Sequence, residues 1–99
     1  MAKVIIHHAP ISMMGMMFYS KSVLPVIKQH LPDYNVAGFF ETDKVGEAAA
    51  EEDFDLTNNP DRQDEREEKY GRGRSVSTGD VIEVDGVHFA CMSSGWAKL

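Results

Sequence analysis

Histidines, one cysteine, a carboxylate run and a set of arginines are the side chains in this 99-residue chain that can do chemistry. His7 and His8 are adjacent, and imidazole is a common ligand for zinc and its neighbours. On a strand, neighbouring side chains leave on opposite faces, so this pair cannot easily close on one ion. His30 and His88 lie far off in sequence and Cys91 has no second cysteine, so no metal site and no cofactor is expected. Cys91 with His88 would need a hydrogen bond between them and an oxyanion site beside them to act as nucleophile and base. Three residues apart on a strand, they face opposite ways. Glu51, Glu52, Asp53 and Asp55 are the acid–base candidates. Paired-carboxylate hydrolysis needs two carboxyls held across a cleft, and a consecutive run at a helix end reads instead as a solvated face. No catalytic residue is expected.

Two binding chemistries remain. Arg72-Gly73-Arg74 with Ser75 and Ser77 can cradle a phosphate through backbone N–H groups, although the Walker and GxGxxG patterns are absent. Arg62, Arg66 and Lys69 share one helical face and, with Arg72 and Arg74, make a local patch for nucleic acid or nucleotide. The ordinary alternative is that Arg74 pairs with the acidic helix. Gly79-Asp80-Val81 is similar to the strand entry of RNA-binding barrels of the PUA and ASCH type, but their surfaces are basic with exposed aromatics. Met13, Met14, Met16 and Met17 supply flexible thioethers that suit either an adaptable surface or core filling.

The elements that must position these groups follow from spacing. Lys3–His7 is a β-branched run and predicts a strand, stopped by Pro10. Ser22 is an N-cap for a helix from Val23 to about Leu31, with Pro25 in its first turn and Val23, Val26, Ile27 and Leu31 on one face. Tyr34–Glu41 predicts a second strand, in which Gly38 marks a bulge or a close approach. Thr42 or Asp43 then caps a helix through about Asp53, with Val45, Ala48, Ala49 and Glu52 on one stripe, and Leu56 anchors the core before a turn at Thr57–Asn59. Asn59-Pro60 starts another helix and Gly71 ends it after Tyr70. That helix has no apolar stripe, so core burial cannot hold it, and Tyr70 is its one obvious tether. Val81–Val84, Asp85-Gly86 and Val87–Met92 form a hairpin with a type I′ turn. Trp96 and Leu99 close the core. The class is α+β: a small, mostly antiparallel sheet of about four strands, two or three helices on one side, and a C-terminal β-hairpin.

Charge is unevenly placed. Net charge is −6, and twelve of the sixteen acids lie between Glu41 and Glu68. Residues 1–40 hold Asp33 against Lys3, Lys21 and Lys28. Such a field suits a basic partner and opposes non-specific nucleic-acid binding; the ordinary alternative is a face that promotes solubility. An apolar share of 42% is enough for a globular core, though 99 residues make it modest. No run approaches the ~20 apolar residues that span a bilayer. The N-terminus lacks the order of a signal peptide. A cytoplasmic, reducing setting and a buried, inert Cys91 are expected.

The segments Phe54–Pro60 (FDLTNNP), Arg74–Gly86 (RSVSTGDVIEVDG) and His88–Leu99, with Gly95, Trp96 and Leu99, together resemble the YodL-like domain, a small module of bacteria, phages and mobile elements. The resemblance covers about residues 51–99 and leaves residues 1–50 as a lead-in strand, helix and strand of a single small domain. It brings no reaction with it. It implies a phage or mobile-element accessory protein, placed in the host cytoplasm if phage-encoded. The expected function is a non-enzymatic interaction module that binds a basic protein partner through an acidic helical face built from Glu51, Glu52, Asp61, Asp64, Glu65 and Glu68. The alternative is a small nucleic-acid-binding or nucleotide-binding domain that uses Arg62, Arg66, Lys69, Arg72 and Arg74.

Overall fold

The computed structural model describes residues 1–10, 23–70, 75–92 and 95–99. The methionine cluster, the cap at Ser22, the terminator Gly71 and the Arg72–Arg74 loop lie outside the described residues. In chain order the elements are β1 (Ala2–His8), α1 (Val23–His30), a 3-10 turn (Leu31–Asp33), β2 (Asn35–Thr42) and α2 (Gly46–Asn58). A second 3-10 turn (Pro60–Arg62), α3 (Gln63–Lys69), β3 (Val81–Val84), β4 (Val87–Cys91) and β5 (Trp96–Lys98) follow. The five strands form one sheet in the order β2-β1-β3-β4-β5, and every neighbouring pair is antiparallel. The expected α+β class holds, with one strand more than anticipated. Because β1 sits between β2 and β3, the lead-in and the later segment share one sheet.

Strand alternation sorts the side chains onto two faces. Val4, Ile6, Ile82, Val84, Phe89 and Cys91 point toward α2 and pack with Ala49, Ala50 and Leu56. Val81 and Ala90, one residue out of phase, point the other way and pack with Ile27 of α1, Tyr34 and Ala9. The helices therefore cover both faces rather than one: α2 with α3 on the first, α1 on the second. Ile27 is fully buried, in line with the apolar stripe read for α1.

Two devices set the local geometry. The β1–β2 register shifts between Ile6, opposite Gly38, and His7, opposite Val36, which leaves Ala37 as an extra residue. A Cβ on Gly38 would stand 2.7 Å from Cδ1 of Tyr70, so the bare backbone here is the seat for that ring. At the hairpin, Asp85 and Gly86 have φ of 49° and 86°, the positive values a type I′ turn demands.

The second helix differs from expectation at both ends. β2 continues to Thr42, whose Oγ1 accepts from Lys44 N–H at 3.3 Å, so neither Thr42 nor Asp43 caps the helix. α2 starts at Gly46 and runs to Asn58, well past Asp53. Its buried residues are Ala49, Ala50, Asp53, Leu56 and Thr57, while Val45 and Ala48 are exposed. Burying Leu56 and Thr57 inside the helix outweighs the turn propensity of Asn58-Asn59. Asn59 Oδ1 then accepts from Asp61 N–H at 2.9 Å, as an N-cap should, but the first turn after Pro60 is 3-10 and the α-helix begins only at Gln63.

Candidate functional site

The acidic surface is organised around Arg62. Its guanidinium reaches Glu52 at 2.5 Å, Asp55 at 2.8 Å and Glu65 at 2.8 Å, tying α2 to the start of α3. The hydrogen bond from Arg62 lowers the pKa of Glu65, and the bonds to Glu65 and Asp55 raise that of the guanidinium. Arg66 also turns inward. It lies 5.6 Å over the Tyr70 ring and donates to the Thr57 carbonyl at 2.9 Å and to Ser75 Oγ at 3.3 Å. Lys69 pairs with Glu65 at 3.6 Å, the i,i+4 pair that the sequence orders correctly. Arg62 and Arg66 are thus consumed in holding a helix that lacks an apolar stripe. They do not form an outward patch with Lys69, and Arg72 and Arg74 lie outside the described residues.

The acids are distributed differently. Glu52 and Glu65 belong to the Arg62 hub. Glu51 is exposed and accepts from Trp96 Nε1 at 2.7 Å. Asp61, Asp64, Glu67 and Glu68 are exposed, with no ion-pair partner among the described residues. Between these helices and the end of β2 lies a cleft of about 380 Å³. Phe40 and Leu56 contribute its apolar lining, and Glu41, Asp43, Glu52, Glu65, Lys44 and Lys69 its charged lining. An apolar floor with a carboxylate-rich rim can take the aliphatic stem and cationic head of a lysine or arginine.

One carboxyl and one thiol on the α2 side of the sheet are silenced by burial. Asp53 is fully buried and neither carboxyl oxygen has a hydrogen-bond partner. Burial, helped by Glu52 and opposed by Lys69, pushes its pKa from 3.8 up to about 8. Burial likewise pushes the Cys91 thiol up to about 12, with smaller contributions from Asp80 and Glu51, so the thiolate is scarce at neutral pH. His88 and Cys91 leave β4 on opposite faces, as expected, and cannot act as a pair.

His8 enters a buried polar chain that sequence reasoning missed. Its Nδ1 lies 2.9 Å from Asp80 Oδ2 and its Nε2 lies 2.5 Å from the Tyr70 hydroxyl. Asp80 also accepts from Ala9 N–H at 2.8 Å and Ser77 N–H at 2.9 Å. The chain fastens the end of β1, the end of α3 and the approach to β3. His8, Tyr70 and Asp80 are at most 8% exposed, and the residues that line the cleft are others. Geometry of this kind can relay a proton, but buried here it acts as a clasp. The Gly79-Asp80 step was visible in the sequence as a strand entry; its connection to His8 was not.

On the opposite face, three strands bring His7, Glu83 and His88 together. His7 Nε2 is 3.0 Å from Glu83 Oε1, and His88 Nε2 is 3.2 Å from the same oxygen. The two rings are 5.9 Å apart, centroid to centroid. Glu83 faces His88 directly across the β3–β4 ladder and His7 diagonally across β1–β3. All three are only partly buried.

These features define an α+β protein with an acidic helical layer on one face of an antiparallel sheet and a histidine–carboxylate group on the other. No family model, no curated protein and no solved structure matches the chain. No helix among the described residues is long and apolar enough to cross a membrane.

Proposed function

We propose that the chain is a non-enzymatic protein-interaction module of the cytoplasm that binds a basic partner through the outer face of α2 and α3. The YodL-like segment suggests the role of a phage accessory or host-modulating protein. One observation carries the reading: Arg62 and Arg66 are turned inward while Asp61, Asp64, Glu67 and Glu68 stand exposed without ion partners among the described residues. An unneutralised field of one sign steers an oppositely charged surface and is screened by salt. The neighbouring cleft, with Glu41 and Asp43 at its rim, offers a seat for one basic side chain.

The reading is tested by fluorescence anisotropy with a labelled peptide rich in lysine and arginine. Affinity is expected to fall about tenfold or more between ~50 and ~300 mM salt. Asp64→Lys combined with Glu68→Lys is expected to weaken binding by a similar factor. Association that ignores salt, or binding of RNA or DNA oligonucleotides in preference to the peptide, overturns the proposal and, in the second case, favours a nucleic-acid role.

A further inference from the structure

We propose that His7, Glu83 and His88 form a binding site for a divalent first-row transition ion such as zinc. The site is independent of the acidic layer and lies on the other face of the sheet.

Two imidazole nitrogens and one carboxylate oxygen are borderline donors that suit zinc, cobalt, nickel or ferrous iron better than calcium or magnesium. The spacing fits as well. Bonds of ~2.0–2.1 Å to one ion at tetrahedral or octahedral angles place neighbouring donor atoms about 2.9–3.4 Å apart. The two nitrogen–oxygen separations, 3.0 and 3.2 Å, already fall in that range. All the donor atoms lie within 4.8 Å of one another, so small rotations of the two rings complete the set.

The backbone makes this convergence rigid. Each donor sits on a different strand, β1, β3 or β4, and the three strands are consecutive neighbours in the sheet. Ligands on strands are held more firmly than ligands on loops. Solvent reaches all three side chains, which are 16%, 22% and 32% exposed for His7, Glu83 and His88. Three protein ligands with solvent beside them leave at least one coordination position for water or an exogenous ligand. Without an ion, both imidazole nitrogens crowd a single carboxylate oxygen. An ion would exchange those contacts for three bonds.

The test is isothermal titration of the full chain with zinc chloride alone. Expected are one ion per chain and a loss of affinity greater than about 100-fold in His7→Ala, His88→Ala and Glu83→Gln, since losing even outer-shell partners costs ~10–100-fold. His30→Ala, whose ring lies 3.4 Å from the Asp33 carboxylate and away from this group, should bind as the parent does. Far-ultraviolet circular dichroism checks the fold of each variant. Cobalt absorption of the unmodified protein supplies a second readout: imidazole-bound cobalt gives visible bands that zinc abolishes by competition. Failure of the parent to bind, undiminished affinity in His88→Ala, or loss of the site in His30→Ala overturns the assignment.

Discussion

His7 and His8 are consecutive residues of one type on one strand, and the fold gives them opposite work. His8 turns toward α2, is 7% exposed, and is clasped between Asp80 and Tyr70. His7 turns the other way, stays partly exposed and shares Glu83 with His88. The contrast teaches that pairing partners, rather than residue type, decide whether a histidine braces the fold or remains available to a ligand. A period of two residues along β1 produces the whole difference.

The largest blow to that contrast falls on the buried side. Asp80→Ala removes the buried carboxylate that His8, Ala9 N–H and Ser77 N–H share as a partner. Urea denaturation should show a loss of ~3–5 kcal/mol. The matching change on the open side, Glu83→Gln, should cost under ~1 kcal/mol, because its contacts are partly solvated. Equal losses would erase the distinction.

Asp53 tests the same burial logic by pH. Its folded pKa of about 8 lies above the 3.8 of an ordinary aspartate, so the folded protein holds that proton more tightly than the unfolded chain does. This group favours folding most below about pH 4, and its contribution is lost as pH rises through about 8, by a few kcal/mol on the order implied by the shift. Urea midpoints compared across this window should decline with pH more steeply for the parent than for Asp53→Asn. Parallel profiles would contradict a buried, unpaired carboxyl.

Smaller effects are expected where packing alone is disturbed. Gly38→Ala pushes a methyl to within 2.7 Å of the Tyr70 ring and should lower stability by ~1–3 kcal/mol, read as a lower melting temperature. Tyr70→Phe keeps the ring on Gly38 but removes the hydroxyl beside His8, at a cost of ~1–2 kcal/mol. If Gly38→Ala is neutral, the ring is not seated there.

The features legible in the sequence were those whose cause is local. Asp85-Gly86 announces its turn because only positive φ closes a two-residue hairpin. Asn59-Pro60 announces a helix start, and Gly38 a bulge or a close approach; the close approach is its own, and the extra residue is Ala37 beside it. Tyr70 was readable as a tether because nothing else in its helix is apolar. The extent of α2 was not legible: Leu56 and Thr57 follow a run of acids, and only the sheet beneath them shows why the helix continues. The inward turn of Arg62 and Arg66 was hidden for a related reason. Helical spacing puts charges on a common face but does not say what lies across from them.

The histidine group depends on sequence separation as well. His7 and Glu83 are 76 residues apart and meet only because β1 inserts between β2 and β3. His7 and His8 leave β1 on opposite faces, as their adjacency on a strand predicts. The true neighbours of His7 are set by strand order, which no local pattern encodes.

The most direct test follows all four histidine rings by NMR while zinc is added to the unmodified protein. The ring resonances of His7 and His88 should shift together and saturate at one ion per chain, while those of His8 and His30 stay in place. Shifts centred on His8 or His30, or no shift at His7, would contradict the division of labour between the two faces of the sheet.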